Sequence, residues 1–161
     1  MSLTLAEQTG AQAISTDKVR RQLQQEGAIS GGIGDLDAGL YAPENVTKVY
    51  DEVLRRARLL LSAGVSVILD GTWRDAYQRQ RARTMAEQTR TPLVEFTCSV
   101  SLAEAAARIV ERPASSSDAT PQIAAALAGR DTERAEGHPI DTSRPLAESV
   151  AEAQQICRLA T

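Results

Sequence analysis

The chain has 161 residues, with 18 Lys and Arg, 21 Asp and Glu, one His and a formal net charge of −3. Hydrophobic residues make up 42% and charged residues 24%, which excludes wholesale disorder and suits a single globular domain over residues 1–161. There is no basic excess to neutralise phosphates, and aromatics are only 3%, so a nucleic-acid-coating or base-stacking role is not expected.

Met1 to Thr9 reads as the tail of a helix that Gly10 stops. Ala11 to Ser15 is a short apolar strand. Thr16 or Asp17 can cap the next helix, Lys18 to Glu26. The stretch from Gly27 to Ala42 holds Gly27, Gly31, Gly32, Gly34 and Gly39, too many glycines for regular structure, and it is long for a connection. Pro43 then opens the most regular helix in the sequence. Its residues Val46, Val49, Tyr50, Val53, Leu54, Ala57, Leu60 and Leu61 follow i, i+3, i+4, i+7 spacing up to Gly64. Val65 to Leu69 (VSVIL) is a β-branched run closed by Asp70, predicted as a strand buried on both faces.

Asp75 to Thr89 is a polar, Arg-rich helix, and Thr91-Pro92 breaks it before a strand at Leu93 to Ser99. Ser101 and Glu104 form a capping box for a helix to about Arg112. A Ser-rich loop, Pro113 to Thr120, leads to a helix that starts at Thr120-Pro121 and ends near Arg134. A short strand around Ile140 and an amphipathic helix, Pro145 to Leu159, close the chain. Strand alternates with helix throughout, which implies an α/β fold: a doubly wound parallel sheet with helices on both faces.

Met1 to Ser15 has no basic region or long apolar run, and no stretch reaches the roughly 18 apolar residues of a membrane span. A cytoplasmic protein without a membrane partner is expected. Cys98 and Cys157 belong to no CxxC, and one His gives no zinc pattern, so both thiols are expected to pack as small hydrophobes.

In parallel sheets, chemistry gathers at the C-terminal ends of the strands, where Asp17 and Asp70 both fall. A carboxylate ending an apolar strand needs a cation, water or a helix N-terminus, so Asp70 is either a Mg²⁺-holding acid or the cap of the Gly71-Thr72 turn. Asp17 is either an N-cap or a base for a substrate hydroxyl. Arg20 and Arg21 read as solvated helix residues. Arg108 and Arg112 lie four apart on one helix face, where they either clamp phosphates beside the flexible Ser115–Asp118 loop or pair with Glu104 and Glu111. His138 reads as a loop residue, and Trp73 as a pocket wall or a packing residue. The Gly27–Gly39 stretch has neither GxxxxGK[ST] nor GxGxxG and is not a phosphate loop.

Three tracts together resemble the small P-loop kinases of the gluconate-kinase and zeta-toxin type, grouped as an AAA-type ATP-binding domain. They are ISTDKVRRQL (Ile14 to Leu23), YAPENVTKVYDEVLRRARLLLSAGVSVILDGTW (Tyr41 to Trp73) and ARIVERPASSSDATPQI (Ala107 to Ile123). The resemblance covers nearly the whole chain. It implies ATP and Mg²⁺ as cofactors and a small molecule bearing a hydroxyl as phosphoryl acceptor. It also implies Asp17 as the acid that meets that hydroxyl, Arg20 and Tyr41 on the substrate side, and Asp70 as the Walker B acid on Mg²⁺. Arg108 and Arg112 become lid arginines on the transferring group, with Ser117 and Asp118 in the lid signature near the nucleotide.

One departure from the family pattern stands out. Leu5 to Ala11 (LAEQTGA) matches the end of the helix that follows the phosphate loop, so the first strand and the Walker A loop are expected to be missing before Met1. In the family that strand lies between those assigned here to VSVIL and LVEFTCS. Its loss implies unpaired edges or altered pairing, weak ATP binding, and self-association or a partner strand at the incomplete sheet. The remaining expectation, from another class, is a non-catalytic kinase-like remnant that acts as an interaction module.

Overall fold

The computed structural model describes residues 1–32, 38–101, 103–105, 107 and 137–160. In chain order these form α1 (Ser2–Thr9), β1 (Gln12–Ser15), α2 (Thr16–Gln25), a 3-10 turn (Gly39–Tyr41), α3 (Pro43–Ser62) and β2 (Val67–Asp70). After these come α4 (Ala76–Thr89), β3 (Phe96–Ser99), β4 (His138–Asp141) and α5 (Leu146–Ala160). Gly10 ends α1 at φ +71°, a left-handed stop that suits glycine.

The strands pair in parallel, as an α/β alternation requires. β1 lies beside β2 with Ile14 opposite Leu69 and Ser15 opposite Asp70. β3 lies beside β4 with Cys98 opposite Ile140. No ladder joins β2 to β3 among the described residues, so the pairs are separate two-stranded sheets. This is the interruption expected between VSVIL and LVEFTCS.

Successive side chains of a strand point to opposite faces, and the core follows that rule. Val67 and Leu69 pack with Ile14, Val19, Val49, Val53 and Met85, contributed by β1, α2, α3 and α4. Ile68, between them, packs on the other side with Leu5 of α1, Phe96, Ile140 and Val150 of α5. Helices therefore cover both faces. The strongest stripe in the sequence, on α3, supplies the wholly buried Val49, Val53 and Ala57.

Four expectations need correction. Val67, Ile68 and Leu69 are only partly buried, because among the described residues β2 is paired with β1 alone. Neither Thr16 nor Asp17 is an N-cap. Ser15 keeps its strand conformation (φ −96°, ψ 130°) and occupies the cap, so both residues lie inside the first turn of α2. His138 opens β4 rather than sitting in a loop. Cys98 is exposed on β3 rather than packed.

Candidate functional site

The register of β1 and β2 decides what meets at their C-terminal ends. Ser15 sits opposite Asp70, so the segments that follow, Thr16-Asp17 and Gly71-Thr72, leave the same end of the strand pair. The two turns touch. A Cβ built on Gly71 would stand 2.5 Å from Thr16 Cγ2 and 2.8 Å from Thr16 Oγ1, so only glycine fits there. The two acids singled out in the sequence are thus brought to one end of one strand pair.

Asp17 accepts a 2.7 Å charged hydrogen bond from Arg20 Nη1, one helical turn later. Arg20 is not solvated, as its position on a polar helix suggested. It is 7% exposed and its guanidinium carbon lies 4.5 Å from the centroid of the Tyr41 ring. Tyr41, at the end of the 3-10 turn, covers it. Arg21, the adjacent residue, is exposed. The geometry unites Asp17, Arg20 and Tyr41 in one cluster.

Asn45, which no sequence pattern singled out, ties Ser30 to Gly39. Its side-chain Nδ2 donates to the carbonyls of Ser30 and Gly39, both at 2.9 Å, joining the two sides of the loop. Gly39, at φ +54°, approaches Gly32 so closely that a Cβ would lie 2.4 Å from its carbonyl oxygen. Ile29 and Leu40 are buried beneath this neck. The available signal was a polar residue four positions before Val49, on the buried stripe of α3.

Asp70 is exposed at the end of β2 and accepts a 2.7 Å hydrogen bond from Ser2 Oγ, at the start of α1. Three residues on, Trp73 has φ +46°, an uncommon conformation for a bulky side chain. Several contacts hold it. Its backbone N–H donates to Tyr50 Oη at 3.1 Å and its indole N–H to the Leu69 carbonyl at 3.3 Å. Its own carbonyl accepts from Arg79 at 2.9 Å, and its ring meets Tyr50 edge-on with centroids 4.8 Å apart. Trp73 is therefore a packing residue that also shapes the turn after Asp70.

Ser101 Oγ accepts from the Glu104 backbone N–H at 3.2 Å, as a capping box requires. Arg108, Arg112, Ser117 and Asp118 lie outside the described residues. Among those described, no group of three or more His, Cys, Asp or Glu forms a metal cluster, and no helix is long and apolar enough to cross a membrane. A lone Asp70 still suits Mg²⁺, which commonly takes one or two carboxylates together with phosphate oxygens and water. The cysteines are not activated nucleophiles, since desolvation pushes both thiols up.

Comparison with known proteins gives this site a context. A family model described as an AAA domain matches residues 1–134. Uncharacterized proteins of Mycobacterium tuberculosis and Mycobacterium bovis are 53% identical over 156 residues, covering 97% of this chain and 31% of their own length. The chain thus spans about a third of the curated relatives it matches. A gluconokinase from Sinorhizobium meliloti superposes with a TM-score of 0.68 at 17% identity, over 99% of this chain and 84% of that one. At that identity the likeness concerns the fold, which is that of a small P-loop kinase.

Proposed function

The chain belongs to the AAA domain family, and from that membership we propose that it is the body of an ATP-dependent phosphotransferase acting on a small-molecule hydroxyl. The observation that carries this reading is the placement of Asp70 and Asp17 at the C-terminal end of the β1–β2 pair, where Ser15, two residues before Asp17, sits opposite Asp70. When bound, Mg²⁺-ATP supplies the phosphoryl group and offsets its charge. Asp17 accepts the proton of the attacking hydroxyl, and Arg20 keeps that carboxylate oriented. Arg20 and Tyr41 line the acceptor side. Asp70 holds the metal or its water; the family resemblance, and not their position, assigns Arg108 and Arg112 to the transferring group and Ser117 and Asp118 to the nucleotide side.

The 161 residues contain no GxxxxGK[ST], the Gly-rich loop and Lys that grip the β- and γ-phosphates. This chain by itself is therefore a weak nucleotide binder and a weak or inactive kinase. Calorimetric titration with Mg²⁺-ATP, after circular dichroism establishes folding, tests this directly. No micromolar binding is expected. Micromolar binding overturns the account of the phosphate grip. Residual transfer from γ-labelled ATP to hydroxyl acceptors should fall to background in Asp17→Asn, and undiminished transfer there removes Asp17 from the chemistry.

The split between β2 and β3 favours a second reading, a kinase-like interaction module whose sheet a partner strand or another copy completes. A folded chain with no transfer, yet with concentration-dependent association in sedimentation experiments, supports it. A strict monomer at high concentration removes self-association.

A further inference from the structure

The Arg-rich helix α4 takes no part in the site described above. Together with α3 it walls a groove on the outside of the fold. Arg81 of α4 donates to Asp51 of α3 at 2.5 Å and marks one end. Arg58 of α3 donates to Gln88 of α4 at 2.6 Å and marks the other. From one pair to the next, both helices advance by the same seven residues, so they run in parallel and the ends lie about 10 Å apart. Leu54 and Met85 are buried in the floor. Tyr77 stands on the rim, 65% exposed, with the Arg81 guanidinium 5.7 Å from its ring centroid.

The lining carries three guanidiniums, of Arg55, Arg58 and Arg81, against one carboxylate, that of Asp51, on a chain whose net charge is −3. Arg55 shares Glu52 with Arg56, and Arg58 meets the neutral Gln88 and no carboxylate among the described residues. Positive charge therefore collects here on a chain that is acidic as a whole. Arginine, tyrosine and methionine are the residues that protein interfaces concentrate. We propose that this groove docks an acidic helix of a partner protein. Its carboxylates meet Arg58, Arg55 and Arg81, and the exposed Tyr77 ring packs beside them. Carboxylates at i and i+7 on one helix face are about 10 Å apart, the same span as the two ends of the groove. A long nucleic acid suits the face less well, because its phosphates also meet the negative field of the rest of the chain. Docking here needs no phosphoryl transfer, so it stands or falls apart from the kinase reading.

Nuclear magnetic resonance of the unaltered chain, titrated with a synthetic helical peptide of about five turns, tests this. The peptide carries Glu at i, i+4, i+7 and i+11, and its control carries Gln at the same positions. Amide shifts should be confined to residues 51–58 and 77–88. The Glu peptide should bind about tenfold more tightly than the Gln peptide, and raising salt from about 50 mM to about 300 mM should narrow that gap. Arg58→Glu alters an exposed side chain and should weaken binding by about fivefold. Asp51→Asn should tighten it by about twofold, because a competing carboxylate leaves the groove. No binding of the Glu peptide, equal affinity for the Gln peptide, shifts outside the groove, or unchanged affinity in Arg58→Glu overturns the proposal. Tighter binding of a single-stranded oligonucleotide at the same residues also overturns it and assigns the groove to nucleic acid. The same shifts appearing as the chain alone is concentrated overturn it in favour of a second copy. The comparison of the two peptides on the native chain stands even if a variant fails to fold.

Discussion

Gly71 and Thr16 are in closer contact than any side chain at position 71 would permit, with Thr16 Cγ2 lying 2.5 Å from where a Cβ would stand. This contact locks the turn after β2 to the first residue of α2. Gly71→Ala should therefore lower stability by about 1–3 kcal/mol through overpacking. Thr16→Ala, which removes both crowding atoms, should restore part of the loss when the two changes are combined. Urea unfolding of the two single variants and the double variant measures this coupling, and additive effects would show that the turns do not press together.

Asn45 is the next point of leverage. Its amide satisfies two carbonyls from opposite sides of the glycine-rich neck. Asn45→Ala leaves both without that donor and should cost about 1–3 kcal/mol. Asn45→Asp should do no better, since an ionised carboxylate has the size but not the N–H groups. Proteolysis within residues 28–41 should accelerate in both variants. Rescue by Asp would mean that shape, not donation, holds the neck.

Much of this fold was legible in the sequence because its elements bury apolar side chains at regular intervals. The 3.6-residue stripe of α3 and the β-branched run before Asp70 each have one good packing solution. The placing of Asp17 and Asp70 together followed from the same alternation, since parallel strands present their C-terminal ends on one edge. Arg20 was not legible. A charged residue on a polar helix reads as solvated, and nothing in the pattern shows that the Tyr41 ring covers it. Asn45 was hidden for the same reason, because its two partners are backbone carbonyls in a loop that no periodicity describes. The half-burial of β2 depends on which strand lies across its second edge, a fact of topology and not of the VSVIL run.

Trp73 offers an optical test of the turn after Asp70, because it is the sole tryptophan. Its left-handed backbone is held by the hydroxyl of Tyr50, which accepts its N–H. Tyr50→Phe keeps the edge-on ring contact but removes that acceptor. It should destabilise the fold by about 1 kcal/mol and shift tryptophan emission to longer wavelength as the turn loosens. Unchanged emission with unchanged stability would mean that ring packing alone holds the turn.

Acid stability should report on Glu52. Its carboxyl is held at about 2, well below the ordinary value, chiefly by its hydrogen bond with Arg55, partly opposed by burial and supported by Arg56. The folded state thus binds fewer protons than the unfolded state between about 4.5 and about 2, and in that window stability rises with pH. The contribution is fully present above about 4.5 and is lost as pH falls towards about 2. Its size is small, below about 1 kcal/mol, because Arg55 is solvent-exposed and salt screens the pair. Urea midpoints measured from pH 7 down to about 3 should fall more steeply for the native chain than for Glu52→Gln, and added salt should narrow the difference. Parallel curves at low salt would show that the pair contributes nothing to folding.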